Sequence, residues 1–254
     1  MNTATLTVDG RTIAYTDFGG TGRPVLALHG HLGEAATWTP LATALAGEWR
    51  VIAPDQRGHG DSDRAATYTS AEYAADAVAL LDHLGLDAVP VIGHSGGALT
   101  AVYLSALHPA RVTAIIAGEI PAVLDKPGSL DFVLGLPYTG ESREALTAAL
   151  GPLATFVGDR LRELPDGTAR LPFHPQDTVA SERAGHGEHW DAWTTGTCPA
   201  LVIRGAHGGI VTEDMAADMA ARRPGTRIAV LDADHFLLEK DPSGFAAAVR
   251  DFLR

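Results

Sequence analysis

Apolar positions along the chain fall into two alternating kinds of run. Short apolar runs read as strands: PVLALHG (24–30) as a central strand covered on both faces, RVIAPD (50–55) as another buried strand, then AVPVIGHS (88–95), RVTAIIAGEIP (111–121), PALVIRG (199–205) and TRIAVLDADH (226–235). Between them lie stretches with helical spacing: TWTPLATALAG (37–47), TSAEYAADAVALLDHLGL (69–86), GGALTAVYLSALHP (96–109), TEDMAADMAARRPG (212–225) and DPSGFAAAVRDFLR (241–254). Thr37 is a candidate cap and Gly47 a stop for the first; Ser70 ahead of Glu72 suggests a capping box for the second. An N-terminal hairpin is predicted around Asp9-Gly10. Regular strand-then-helix alternation predicts an α/β, doubly wound, mostly parallel sheet.

The alternation breaks from about 121 to 195, where Pro- and Gly-rich stretches separate interrupted helical segments. This predicts a core of 1–120 and 196–254 with a small helical cap insertion, 121–195, over the C-terminal edge of the sheet.

A length of 254 residues suits one well-buried domain with an insertion. The net charge of -12 argues against nucleic acid and against an anionic membrane surface, since both need a cationic patch. A single cysteine, Cys198, cannot form an internal disulfide and reads as a small buried apolar residue. The N-terminal residues show no basic and apolar signal pattern, and no apolar run approaches the roughly 20 residues of a membrane span. The expectation is a soluble cytoplasmic protein; a homodimer is left open.

Chemistry concentrates at strand ends. Gly93-His94-Ser95-Gly96-Gly97 lies between a strand and a helix, the context in which G-x-S-x-G presents a nucleophilic serine on a tight turn. A serine hydroxyl needs a base, and His235 follows the last strand. The oxyanion created by attack needs donors. Candidates are the backbone N–H groups of Gly96 and of His31, which lies in the loop His29-Gly30-His31-Leu32-Gly33.

LHGHLG, VIAPDQRGHGDSD, GHSGG and LDADHFLLEKDP, in this order, resemble the α/β-hydrolase superfamily in its esterase-like branch, over essentially the whole chain except the cap. The resemblance implies an eight-stranded, mostly parallel sheet and a Ser-acid-His triad in that chain order. Asp55, Arg57, Gly58, Gly60 and Ser62 match a family loop read as structural, with Arg57 and Asp61 tied to local backbone and to each other. The acid raises a question. In the family it usually follows the strand PALVIRG, but residues 205–210 here read Gly-Ala-His-Gly-Gly-Ile. Glu119, at the end of the strand after the nucleophile's helix, has the other suitable topology, one used by some superfamily members such as certain haloalkane dehalogenases. Glu213, Asp214, Asp232 and Asp234 are weaker alternatives, as is a dyad with His207 in the vacated place.

The expected activity is cofactor-free and metal-free hydrolysis of a small or medium carboxylic ester or lactone with an apolar body, through an acyl-enzyme on Ser95. Trp38, Phe132, Leu136, Tyr138, Trp190 and Trp193 are expected to line the substrate pocket, with Leu134 and Phe156 as further cap candidates. Carbon–carbon bond hydrolase, thioesterase, amidase and perhydrolase activities use the same triad and stay open; dehalogenation and epoxide opening need a carboxylate nucleophile and are disfavoured. From another class, a ligand receptor that kept the pocket and lost turnover also fits. His186 and His189 in HGEHW are read as surface residues of a cap helix rather than metal ligands. GGTGRP leads into a strand and lacks Lys-Ser/Thr, so it is not a phosphate loop.

Overall fold

A computed structural model describes residues 1–254. Eight strands form one sheet: β1 (Asn2–Val8), β2 (Arg11–Asp17), β3 (Arg23–Leu28), β4 (Trp49–Pro54), β5 (Val89–His94), β6 (Val112–Gly118), β7 (Ala200–Gly205) and β8 (Arg227–Leu231). Their order is β1-β2-β4-β3-β5-β6-β7-β8, with only β1 and β2 antiparallel to their neighbours.

The unbroken apolar runs are explained by the faces they cover. Leu26 and Leu28 of β3, Val89 and Val91 of β5, and Ala200 and Val202 of β7 join one buried cluster. Val25 and Ala27, Ile92, and Leu201 and Ile203 join the other. In these strands successive side chains point to opposite faces and both faces are covered, so the positions are apolar; at the edge strand β8, Ile228 and Val230 are exposed.

Helices α1 (Thr39–Ala44), α2 (Ser70–His83) and α3 (Gly96–Leu107) follow β3, β4 and β5. Helix α2 and α3 pack their Ala74, Ala77, Leu80, Leu81, Ala101 and Leu104 on the first face. The cap of α2 is Thr69, one residue earlier than the sequence suggests: its side chain and that of Glu72 each take the other's backbone N–H.

Between β6 and β7 the chain builds a separate cluster around Val133, Leu146, Leu150, Val157, Leu161, Leu171, Phe173 and Val179. Its main helices are α4 (Arg143–Leu150) and α5 (Pro175–Ala184). Chain leaving and chain returning pair at Val123–Leu124 and Gly187–Glu188, which forms a neck. The predicted insertion is therefore too long at its C-terminal end. Helix α6 (Trp190–Thr195) lies beyond the neck and packs on the sheet: Trp193 is buried in the first-face cluster and donates its indole N–H to the Met219 carbonyl at 2.8 Å. Helices α7 (Glu213–Arg222) and α8 (Pro242–Leu253) complete the two layers. No helix is long and apolar enough to cross a membrane.

Candidate active site

Ser95 sits at the sharp turn from β5 into α3, with φ 51° and ψ -124°. A non-glycine residue in this region is strained, by about 1–3 kcal/mol, and surrounding contacts must hold it there. The Ser95 N–H donates to the Gly118 carbonyl of β6 at 2.8 Å. The turn is also too tight for side chains nearby: a β-carbon on Gly97 would lie 2.1 Å from the Leu28 carbonyl oxygen, and one on Gly93 2.3 Å from that of Gly97. Gly96 opens α3, so its N–H has no partner within the helix.

The loop after β3 brings His31 to the same turn. His29 pins this loop from below: its Nδ1–H donates to the Gly30 carbonyl at 2.8 Å, and its Nε2 accepts from the Gln56 N–H at 2.9 Å. Gly30 approaches so closely that a β-carbon there would stand 2.9 Å from that of Ser95.

Glu119 follows β6 with φ 50° and is wholly buried. Its Oε2 lies 3.4 Å from His235 Nδ1. The same carboxylate takes two backbone N–H bonds, from Gly205 at 2.7 Å and Ile210 at 2.6 Å. Burial alone would push its pKa up, but the donors from His235, Gly205 and Ile210 together hold it below the usual carboxylate value. The loop that lacks an acid is thereby accounted for. A β-carbon on Gly209 would fall 2.3–2.5 Å from the Glu119 carboxyl atoms, so residues 205–210 form a backbone cradle for a carboxylate supplied by β6.

The other carboxylates considered are engaged elsewhere. Glu213 and Asp214 lie in the first turn of α7. Asp234 caps the Phe236 N–H, and Asp232 pairs with His207 at 2.6 Å, with both side chains exposed. His207 is thus paired with Asp232 and not with His235.

His94, between the glycine and the serine of the motif, was not singled out by sequence. Its Nε2–H donates to the His235 carbonyl at 2.7 Å, which ties the histidine loop to the nucleophile turn. Burial, reinforced by the neighbouring His235, lowers its pKa to about 4, so it serves as a neutral donor. Ser95 and His235 themselves are not hydrogen-bonded in this structure; catalytic pairs often tighten only when substrate arrives.

Asp55 accepts from the Ala35 and Asp61 N–H groups at 2.7 and 2.9 Å and holds its own loop. Arg57 and Asp61 do not pair. Arg57 reaches Asp76 at 2.7 Å, whereas Asp61 faces the cap and meets Arg170 at 2.7 Å and Arg162 at 3.1 Å.

The expected pocket walls need the largest correction. Trp38 is fully buried on the second face of the sheet against Phe245, 6.1 Å away centroid to centroid. Trp193 is buried between α6 and α7, and Trp190 lies under the Arg222 guanidinium at 3.9 Å. Phe132 is 57% exposed. Leu136 and Tyr138 pack on the cap cluster, where Tyr138 stacks on His174 at 4.7 Å. Helix spacing cannot tell a pocket wall from a core position, and the tryptophans went to the core. Phe156 of the cap does reach the site: it stacks at 4.3 Å on Phe236, the neighbour of His235. His189 is also buried rather than on the surface, between the Tyr103 hydroxyl at 3.0 Å and the Gly185 carbonyl at 2.9 Å. Cys198 is only part-buried, with its sulfur 3.4 Å from Arg223.

A nucleophile elbow at the C-terminal edge of a mostly parallel eight-stranded sheet, with a histidine and a buried carboxylate beside it, defines a class. Residues 23–242 match the family described as alpha/beta hydrolase fold, and the chain belongs to it and is a hydrolase. It is 26% identical over 251 residues to the 2-(acetamidomethylene)succinate hydrolase of Mesorhizobium japonicum, covering 92% of this chain and 89% of the relative. It is 26% identical over 273 residues to the 3-hydroxybutyrate-oligomer hydrolase of Cupriavidus necator, covering 94% and 92%. The crystal structure of an E-2-(acetamidomethylene)succinate hydrolase, 25% identical, superposes with a TM-score of 0.86 over 99% of this chain and 98% of that one.

Proposed function

We propose that this hydrolase cleaves a small carboxylic ester or lactone through an acyl-enzyme on Ser95. The observation that carries this reading is the buried Glu119 carboxylate beside His235 Nδ1, with Ser95 held on a strained turn next to the same histidine loop. His235 takes the Ser95 proton as Oγ attacks the carbonyl carbon, and returns it to the departing alcohol. Water then attacks the acyl-enzyme with His235 again as base, which releases the acid and frees Ser95. Glu119 keeps its charge throughout and stabilises the imidazolium. The N–H groups of Gly96 and His31 receive the oxyanion.

The site is less apolar than the sequence suggests, and that narrows the substrate. Close to Ser95 lie the imidazoles of His31 and His94; Phe156 and Phe236 are the aromatic surface near His235. A compact acyl group suits these surroundings better than a long hydrocarbon chain.

A second reading is favoured by Arg160. One turn beyond Phe156, this cap residue donates to the Thr37 hydroxyl at 3.2 Å and the Phe156 carbonyl at 2.5 Å, and forms no ion pair. An arginine of this kind fits a substrate that carries a free carboxylate beside the ester or amide bond to be cleaved. The relatives named for an acetamidomethylene succinate support including amides.

Two measurements test the proposal together. A fluorophosphonate probe is expected to label wild type and not Ser95→Ala, and wild type is expected to hydrolyse p-nitrophenyl acetate. An unlabelled, inactive wild type that binds ligands reversibly would instead make the protein a receptor of this fold.

A further inference from the structure

The reaction above uses only the backbone of His31, yet its imidazole lies over the nucleophile turn. A β-carbon on Gly96 would stand 3.1 Å from the ring's Cε1 and 3.3 Å from its Nδ1. On the opposite edge, Nε2 lies 2.9 Å from the Ser181 hydroxyl oxygen. That oxygen in turn accepts from the Tyr73 hydroxyl at 2.9 Å. Ser181 belongs to cap helix α5 and Tyr73 to core helix α2. The three side chains therefore join cap, core and oxyanion loop.

The direction of these bonds determines the histidine's tautomer. The Tyr73 hydroxyl is buried and pairs only with Ser181, so it donates. Ser181 has one proton to give, and its other partner is His31 Nε2. Burial lowers the His31 pKa to about 3, aided by His59, His235 and His186 nearby, so the ring carries a single proton. With Nε2 accepting, that proton sits on Nδ1, which has no partner in the protein and faces the turn.

We propose that His31 Nδ1–H is a side-chain donor to the acyl oxygen bound at the Ser95–Gly96 turn, in a tautomer set by Tyr73 and Ser181. This rests on the reading of Ser95 as the nucleophile. It makes His31 a catalytic residue through its ring as well as its main chain, and Tyr73 and Ser181 positioning residues. It also lets the seating of the cap act on the chemistry, because Ser181 arrives with α5.

Nitrogen-15 NMR of the imidazoles, with His31 assigned by its loss in His31→Gln, reads the tautomer without any substrate. The expected spectrum has the proton on Nδ1 in wild type and a mixture of tautomers in Ser181→Ala. A wild-type ring protonated on Nε2 overturns the proposal, whether or not the protein hydrolyses esters. In kinetics on p-nitrophenyl acetate, His31→Asn places an amide N–H near the Nδ1 position, whereas His31→Gln places one near Nε2. The expected loss of kcat/KM is about 10- to 100-fold in the Gln variant, as for a hydrogen bond to a charged acceptor, and a few-fold in the Asn variant. Equal losses in the two, or none in either, also overturn the proposal. Fluorophosphonate labelling of Ser95 in the same variants separates this outcome from failure of the hydrolase reading, which would abolish labelling in wild type as well.

Discussion

The sheet and the cap are held together by different means. The sheet buries 24 apolar residues on one face and 23 on the other, whereas the cap gathers nine around its own centre. Of the core, Leu32 packs against that cluster, and charged contacts add to the docking. Arg162 meets the buried Glu34 at 2.6 Å and Asp61 at 3.1 Å, and Arg64 meets Asp177 at 2.6 Å. The Gly60 N–H donates to the Pro172 carbonyl at 2.6 Å. Ser95, His235 and Glu119 all lie on the sheet side, on turns set by close backbone packing. The cap contributes Phe156, Arg160 and Ser181. On the proposed mechanism the turns of the sheet hold the reacting groups, and the cap, docked through polar contacts, would shape what enters.

The comparison breaks first at the carboxylate. Glu119→Gln is expected to lower kcat on p-nitrophenyl acetate by about 10³–10⁴, as loss of the acid does in serine triads, with Ser95→Ala as the baseline. Activity near wild type would move the acid elsewhere. Next comes the cradle. Gly209→Ala drives a methyl into the Glu119 carboxylate and is expected to cost about 100-fold in kcat, since small displacements of a catalytic group are that costly. The matching cap substitution, Gly135→Ala, meets nothing within 4 Å and should leave both kcat and melting temperature unchanged.

A smaller effect is expected where cap meets core. Arg162→Ala leaves Glu34 buried without its cation and is expected to cost about 2 kcal/mol in urea unfolding, somewhat below a fully buried pair because Arg162 is part-exposed. KM should rise several-fold, and kcat should fall by a smaller factor as Ser181 loosens its hold on His31; an unchanged kcat would show that the seating of the cap does not reach the chemistry.

The smallest effect is a slope with pH. His59 and His94, each with its pKa lowered to about 4 chiefly by burial, are neutral in the folded protein and titrate near 6.5 when unfolded. The unfolded state therefore binds more protons between these values. Stability is fully present above pH 6.5 and is lost as pH falls toward about 4, by at most about 1.4 kcal/mol per pH unit for each histidine. His59→Asn, which keeps a donor for the Arg57 carbonyl, should flatten urea-unfolding midpoints over that window. An unchanged slope would mean that His59 does not contribute.

Much of the candidate site could be named from the sequence because its signals are local or come with the family resemblance. Gly93 to Gly97 specify a turn that large residues cannot make. Glu119 could be named because the family resemblance offers an acid at this strand end; in the structure β7 lies between β6, which Glu119 follows, and β8, which His235 follows, and their C-terminal ends share one edge. His31 could be named from the sequence only as a candidate backbone donor; the placing of its ring could not be read, because it depends on Tyr73 and Ser181, which lie 42 and 150 positions away in the chain. The aromatic pocket failed for a related reason. Trp38 and Trp193 carry the same helical spacing whichever side they face, and burial on the sheet won.

By itself the sequence determined the doubly wound sheet, the two apolar faces and the nucleophile turn, because backbone geometry and period-two burial leave few alternatives at those positions. Only the tertiary structure decided that a loop without an acid would wrap one from another strand, that Arg57 and Asp61 would part to serve helix and cap, and which tryptophans would join the core. Those outcomes depend on groups distant in sequence competing for the same space and the same hydrogen bonds. Such competition is resolved only when the layers close.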